Sequence, residues 1–446
     1  MSHGKQDHRL RKECFIPLTK ADFRRKCHLE LNQTLVIRKP GVYKLLENIG
    51  FEPFLASDSA GQQAVGRLLN EREVLQAVEE SQDVFAAYRS IKCEPRQVVT
   101  QPTEDVLIAI SIQADDVVLD LCGHRVYQKN TVLGGIGIEL VPSLNNVTIR
   151  NGTLSNFTRA AIRSFIPDSS PQVVSRNLFF ENLILLDNGS SDGSLGLFGL
   201  GDGSALTLES PAIPNESTLR TDFKYYNVIV SGVKADNNTY NALNFNQVNN
   251  LKITDTLSNG AYVNNATLTF LASVLCLQVV NSRNTQIFNS QFNNAIVNSG
   301  AALLVGGMTT LGSDSMHINN CQFNGHSVAT GASALGLGGL SFAGSAKDWL
   351  IENSQFNNIT GAGAVTADGL HHSDAAGATF AGGPHKVINC QFNNIKSVNG
   401  TARAVLFLTT KDLVIDSSQV SDVASSGTGA AQGFSVSTNW TDPVTG

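Results

Sequence analysis

Two imidazoles and two carboxylates fall within seven residues of this 446-residue chain, in the run ADGLHHSD: Asp368, His371, His372 and Asp374. Such a set carries the groups needed to bind a metal or to act as acid and base near neutral pH. His317, His326 and His385 lie in neighbouring repeats and are candidates to join it. The competing reading is a polar, exposed loop in a Gly/Ala-rich segment. The adjacent carboxylates Asp115 and Asp116 do not make a second site, because neighbours on a strand face opposite ways.

The elements that must position these groups are set by a repeated phrase: IFNSQFNN (287–294), INNCQFNG (318–325), IENSQFNN (351–358) and INCQFNN (388–394), with a weaker echo, VIDSSQVSD, at 414–422. Aligned on Phe292, Phe323, Phe356, Phe392 and Val420, the repeats are spaced by 31, 33, 36 and 28 residues. A constant phrase at variable spacing describes a fixed strand with loops of differing length, one coil of a solenoid per repeat. Alternation along a strand directs Ile318, Cys321 and Phe323 inward and Gln322 outward, with Asn320 at a bend. Asn289, Asn320, Asn353 and Asn389 then stack, and the reading has their amides satisfying turn backbone groups in the interior. Ser290, Cys321, Ser354, Cys390 and Ser418 form a second column and the phenylalanines a third, so Cys321 and Cys390 read as small buried fillers.

The same grammar of β-branched or aromatic residues between Asn/Gly bends runs through 145–157, 177–188, 225–238 and 249–260. Residues 60–90 differ. Val65, Leu68, Leu69, Leu75, Val78, Phe85 and Tyr88 recur at a helical period, which predicts an inserted helix within a cap. The division expected is a basic arm at 1–34, a cap with this insertion at 35–106, a parallel β-helix at 107–425 and a tail at 426–446.

Only 16% of residues are charged and 42% are hydrophobic, which excludes charge-driven disorder and helical bundles. Residues 1–44 hold eleven Lys/Arg against four Asp/Glu, a net +7; the remainder, with 21 basic and 34 acidic residues, carries −13. The basic arm is the one feature here that would suit nucleic acid. Seven dispersed cysteines without a CxxC argue against zinc and against a disulfide framework. The start, MSHGKQDHRLRKECF, lacks an apolar signal core, and no run of about 18 apolar residues exists to span a membrane. The expectation is a protein made in the cytoplasm without a signal peptide and incorporated into a virion or other particle.

The phrases ADDVVLDLCGHRV (114–126) and NVTIRNGTL (146–154) resemble the opening coils of right-handed parallel β-helix repeat proteins of the pectin-lyase-like superfamily, whose recurrent phrase reads ADNVTLDLNGHTI; Cys122 stands where Asn is usual. PGVYKL with DDVVLDL is also similar to β-helix proteins encoded by large amoeba-infecting DNA viruses. The resemblance implies an all-β parallel β-helix. It leaves chemistry open, because the superfamily holds lyases, hydrolases, epimerases, tailspikes and adhesins. The hydrolase motifs Asn-Thr-Asp, Gly-His-Gly and Arg-Ile-Lys and the lyase motifs Trp-x-Asp-His and Arg-x-Pro-x-x-Arg are absent. The functional expectation is a non-catalytic structural or surface-binding protein without a cofactor, with protein subunits or a glycan surface as partner. The alternative is a polysaccharide lyase or glycoside hydrolase with a divergent site; Ca²⁺ enters only under the lyase reading.

Overall fold

The computed structural model describes residues 15–24, 33–54, 106–167, 172–189, 205–210, 222–264, 273–343, 348–373, 384–408 and 412–437. They form a right-handed parallel β-helix with one 24-stranded and one 12-stranded sheet. A coil runs from one strand of the smaller sheet, such as Ala301–Leu311, into three short strands of the larger, Asp314–Asn319, Gln322–Asn324 and Ser327–Val328. The next coil repeats this from Ser333–Ala343, and the strands pair in parallel, Phe323 on Phe356 and Met308 on Leu340. The ladder continues on both sides of 107–425: Ile16–Leu18 pairs with Gly41–Leu45, and Ala431–Ser437 with Ala402–Leu408. The one described helix is a 3₁₀ turn, Lys20–Phe23. The expected helix at 60–90 lies outside the described residues, as does most of the basic arm.

The corners explain the richness in Asn. Of 29 described non-Gly residues at positive φ, 17 are Asn and 6 are Asp, the residue types that best tolerate the left-handed region. The register predicted from the phrase is present: Phe292, Phe323, Phe356 and Phe392 are buried and stacked, with ring centroids 5.4, 5.0 and 4.8 Å apart. Opposite them the smaller sheet supplies almost nothing. A Cβ on Gly307, Gly339 or Gly369 would lie 2.8 Å from the Cδ1 of Phe323, Phe356 or Phe392 respectively. Large residues on one wall are matched by glycine on the other, which is how a narrow core reaches close packing.

One expectation is corrected. Asn289, Asn320, Asn353 and Asn389 do stack, but on the outside. Asn320 and Asn389 donate side-chain hydrogen bonds to Asn289 and Asn353, at 2.9 and 2.8 Å. The interior backbone at this bend is served by the hydroxyl column: Cys321 N donates to Ser354 Oγ and Cys390 N to Ser418 Oγ, both at 3.2 Å. The reason is the left-handed residue itself. It interrupts alternation, so Asn319 and Asn320 both face outward and Cys321 turns in. Cys321 and Cys390 are buried, and burial pushes their thiols up to about 12 and about 11.

Phe356→Ala should cost about 3–5 kcal/mol in denaturant melts, as buried aromatic truncations do. Gly339→Ala should cost at least about 1–3 kcal/mol by overpacking against the same ring and against the Gly369 carbonyl oxygen, 2.7 Å from the added Cβ. The double variant should lose less than the sum of the two; strict additivity would contradict the pairing of the two walls.

Candidate functional site

The smaller sheet decides the fate of the His/Asp run. In the strand Ala367–Ser373, Gly369 and Leu370 meet the core, which places Asp368 and His371 on the outer face and His372 inside. Asp368 is buried at its base and accepts three hydrogen bonds: Arg403 Nε to Oδ1 at 2.7 Å, Arg403 Nη2 to Oδ2 at 2.9 Å, and His371 Nδ1 to Oδ2 at 2.8 Å. The carboxylate thus fixes the imidazole through Nδ1 and turns Nε2 outward, with Arg403 compensating the charge. This arrangement can hold or accept a proton at Nε2.

The other candidates do not join it. His372 stacks on Phe407, 5.4 Å between centroids, with His385 4.8 Å away in the core. His326 is buried, its Nδ1 accepting from Ala295 N at 3.2 Å. His317 Nε2 lies 2.8 Å from Glu352 Oε1 on the larger sheet. Asp374 lies outside the described residues. Asp115 and Asp116 are both exposed, Asp116 at positive φ. Arg403 was not a candidate in the sequence. It pairs in register with Asp368, but a strand register across a variable loop carries no constant phrase to align. Among the described residues no group of three His, Cys, Asp or Glu is arranged to hold a metal.

The outer column that contains His371 is polar in every preceding coil back to Ser111: Glu139, Arg163, Thr207, Asn244, Gln278, Thr309 and Ser341 follow one another in register. Its middle is occupied with itself. Arg163 Nη2 pairs with Glu209 Oε2 at 3.0 Å, and Thr207 bridges Glu209 and Asn244 at 3.2 and 3.3 Å. Thr207, Asn244, Gln278 and Thr309 are buried. Burial raises the Glu139 carboxyl above the usual range, with Arg163 and Arg159 opposing.

A second surface is open. Between the corner at 289 and the corner at 294, every outward position of four consecutive coils carries an amide, except Gly325. One column is Asn289, Asn320, Asn353 and Asn389. The next is Gln291, Gln322, Gln355 and Gln391, continued by Gln419; the third is Asn293, Asn324, Asn357 and Asn393. The corner column closes with Asn294, Asn358 and Asn394. The Asn columns are engaged in holding the coils: Asn293 and Asn324 accept from the next coil's backbone N–H at 3.1 and 3.0 Å, and Asn394 donates to Asn358 at 2.7 Å. The Gln column is engaged much less. Gln291 Oε1 accepts from Asn293 at 3.3 Å, but no described group takes the Nε2 of Gln291, Gln322, Gln355 or Gln391.

No family model matches this chain, and no curated protein is similar to it in sequence. Solved structures are similar in fold. The A-module of an Azotobacter vinelandii mannuronan C-5 epimerase aligns at 12% identity over 74% of this chain and 85% of its own, TM-score 0.42. PfbA, a surface adhesin of Streptococcus pneumoniae, aligns at 8% over 89% and 80%, TM-score 0.40. A family 28 exopolygalacturonase of Yersinia enterocolitica aligns at 10% over 88% and 60%, TM-score 0.22. No helix of the described residues is long and apolar enough to cross a membrane.

The buried imidazoles generate a pH dependence. Burial pushes His372 down to about 4 and His326 and His385 to about 3, from an ordinary 6.5. Below pH 6.5 the unfolded chain therefore binds more protons than the folded one. Stability is complete above that pH and falls toward pH 4, by about 1.4 kcal/mol per unit for each histidine. His385→Phe should flatten the slope of unfolding free energy between pH 6.5 and 4.5 by about a third; an unchanged slope would show that His385 is not held neutral.

Proposed function

We propose that this protein is a non-catalytic surface-binding β-helix and that its amide ribbon is the contact face for a neutral glycan. The observation that carries this reading is the glutamine column. Its neighbours are committed to the fold through ladder hydrogen bonds, whereas the Gln Nε2 donors have no partner among the described residues. Uncharged amides exchange water for sugar hydroxyls at modest gain, about 0.5–1.5 kcal/mol each, and regular repetition multiplies that gain. The stiff stack is a scaffold that holds the ribbon flat.

The second reading, a polysaccharide lyase or glycoside hydrolase, is favoured by one feature, the His371 imidazole fixed by Asp368. Its nearest carboxylate, Asp368, is already paired with Arg403. We expect no cleavage of polygalacturonate, alginate or hyaluronan, with or without added Ca²⁺, in combined unsaturated-product and reducing-end assays. Activity abolished by His371→Ala would establish the enzymatic reading instead. On a glycan array, Gln322→Ala/Gln355→Ala should weaken binding about tenfold at unchanged melting temperature. Unchanged binding would move the contact face elsewhere.

A further inference from the structure

Resting on the surface-binding reading, we propose that the ribbon recognises the ordered face of an insoluble N-acetylated polysaccharide, the chemistry of chitin, rather than a single dissolved chain. Three properties of the ribbon point there.

The first is its repeat. Equivalent residues in successive coils are one parallel-strand spacing apart, about 4.8 Å. That length is set by the N–H···O=C contact between stacked amides. Any polymer whose chains stack through acetamido-to-acetamido hydrogen bonds repeats at nearly the same interval, for the same reason. The column Gln291, Gln322, Gln355, Gln391 and Gln419 therefore offers amides in step with such a ligand over five coils. A side-chain amide is also the closest chemical match to an acetamido group, since each presents one carbonyl acceptor and an N–H donor.

The second is charge. The four amide columns contain no ionisable residue from Asn289 to Asn394. A polyuronate or sulfated glycan would meet no compensating cation there. The charges that border it are Glu352, beside Asn353 and 2.8 Å from His317 Nε2, and Lys396 with Asp422, which pair with each other at 3.0 Å.

The third is the orientation of the aromatic residues. The phenylalanine of every QFN phrase is buried, so no ring lies within the four columns; the half-buried Phe288 borders them, packed edge-on against His317. Recognition through amide contacts alone is weak per contact and demands many in register. An ordered surface supplies them; one flexible chain does not, because ordering it costs entropy at every linkage.

The test is cosedimentation of the full-length protein with chitin, deacetylated chitin and crystalline cellulose, with soluble chitohexaose as competitor. The expected result is retention on chitin and at least tenfold weaker retention on the deacetylated material and on cellulose. An equal mass of hexamer should not compete. Gln322→Lys/Gln355→Lys and Gln322→Ala/Gln355→Ala should each lower chitin retention at least tenfold, while Lys252→Gln, on the adjoining face, should not. Equal retention on chitin and cellulose overturns the acetamido assignment and leaves the surface-binding reading standing. Retention on chitin that the Gln variants do not change overturns the ribbon as the contact face and moves the glycan-binding surface elsewhere on the chain. Failure to bind any glycan together with self-association that the variants abolish overturns both readings and makes the ribbon a contact between copies of this chain.

Discussion

Every residue of a parallel β-helix sits on its own equivalent, one strand spacing away, and that single constraint governs this molecule. A side chain is admissible only if it tolerates itself as a neighbour above and below. Phenylalanine does so by stacking rings at 4.8–5.4 Å; asparagine does so by passing a hydrogen bond from amide to amide. A charged column would repel itself at the same spacing, which accounts for a chain only 16% charged. Where charges do stack on one another, opposite signs meet, as in Asp120 beneath Arg150 and Asp368 beneath Arg403; others, such as Lys386 between Leu350 and Val414, stack on neutral residues. Space is settled in the same way, by a glycine column facing a phenylalanine column.

The columns were legible in the sequence because the QFN phrase is constant while its loops vary. Inward Phe323 and Cys321, outward Gln322 and the Asn stack all follow from that phrase. The side on which the Asn stack lies did not follow, because alternation counted through residue 320 ignores a left-handed corner at φ 53°. The same rule of alternation, applied to His371 and His372, separates them. The partner of Asp368 was hidden for a different reason. Arg403 is 35 residues away in the next coil, beyond a loop whose length follows no repeat, so only the folded register brings the two together.

The exterior divides into positions that the fold consumes and positions that it leaves. Asparagine at a left-handed corner is explained by backbone geometry and ladder bonding, and needs no ligand. The buried polar column of the smaller sheet, from Arg163 through Glu209, Thr207 and Asn244, is likewise closed on itself. Glutamine at mid-strand is different. No dihedral requirement selects it, no ladder bond uses its Nε2, and yet it recurs in five coils. The function proposed for this protein rests on that residue of unexplained regularity.

The most direct measurement is the mobility of a nitroxide placed on the ribbon. A spin label on Ser421→Cys, exposed at the end of the ribbon beside Gln419, read by electron paramagnetic resonance, should be mobile in the free protein and become immobilised when the protein is bound to chitin particles. The same label on Lys252→Cys, on the adjoining face, should keep its mobility. The reverse pattern, or equal immobilisation at both positions, would contradict the assignment of the amide ribbon as the contact face.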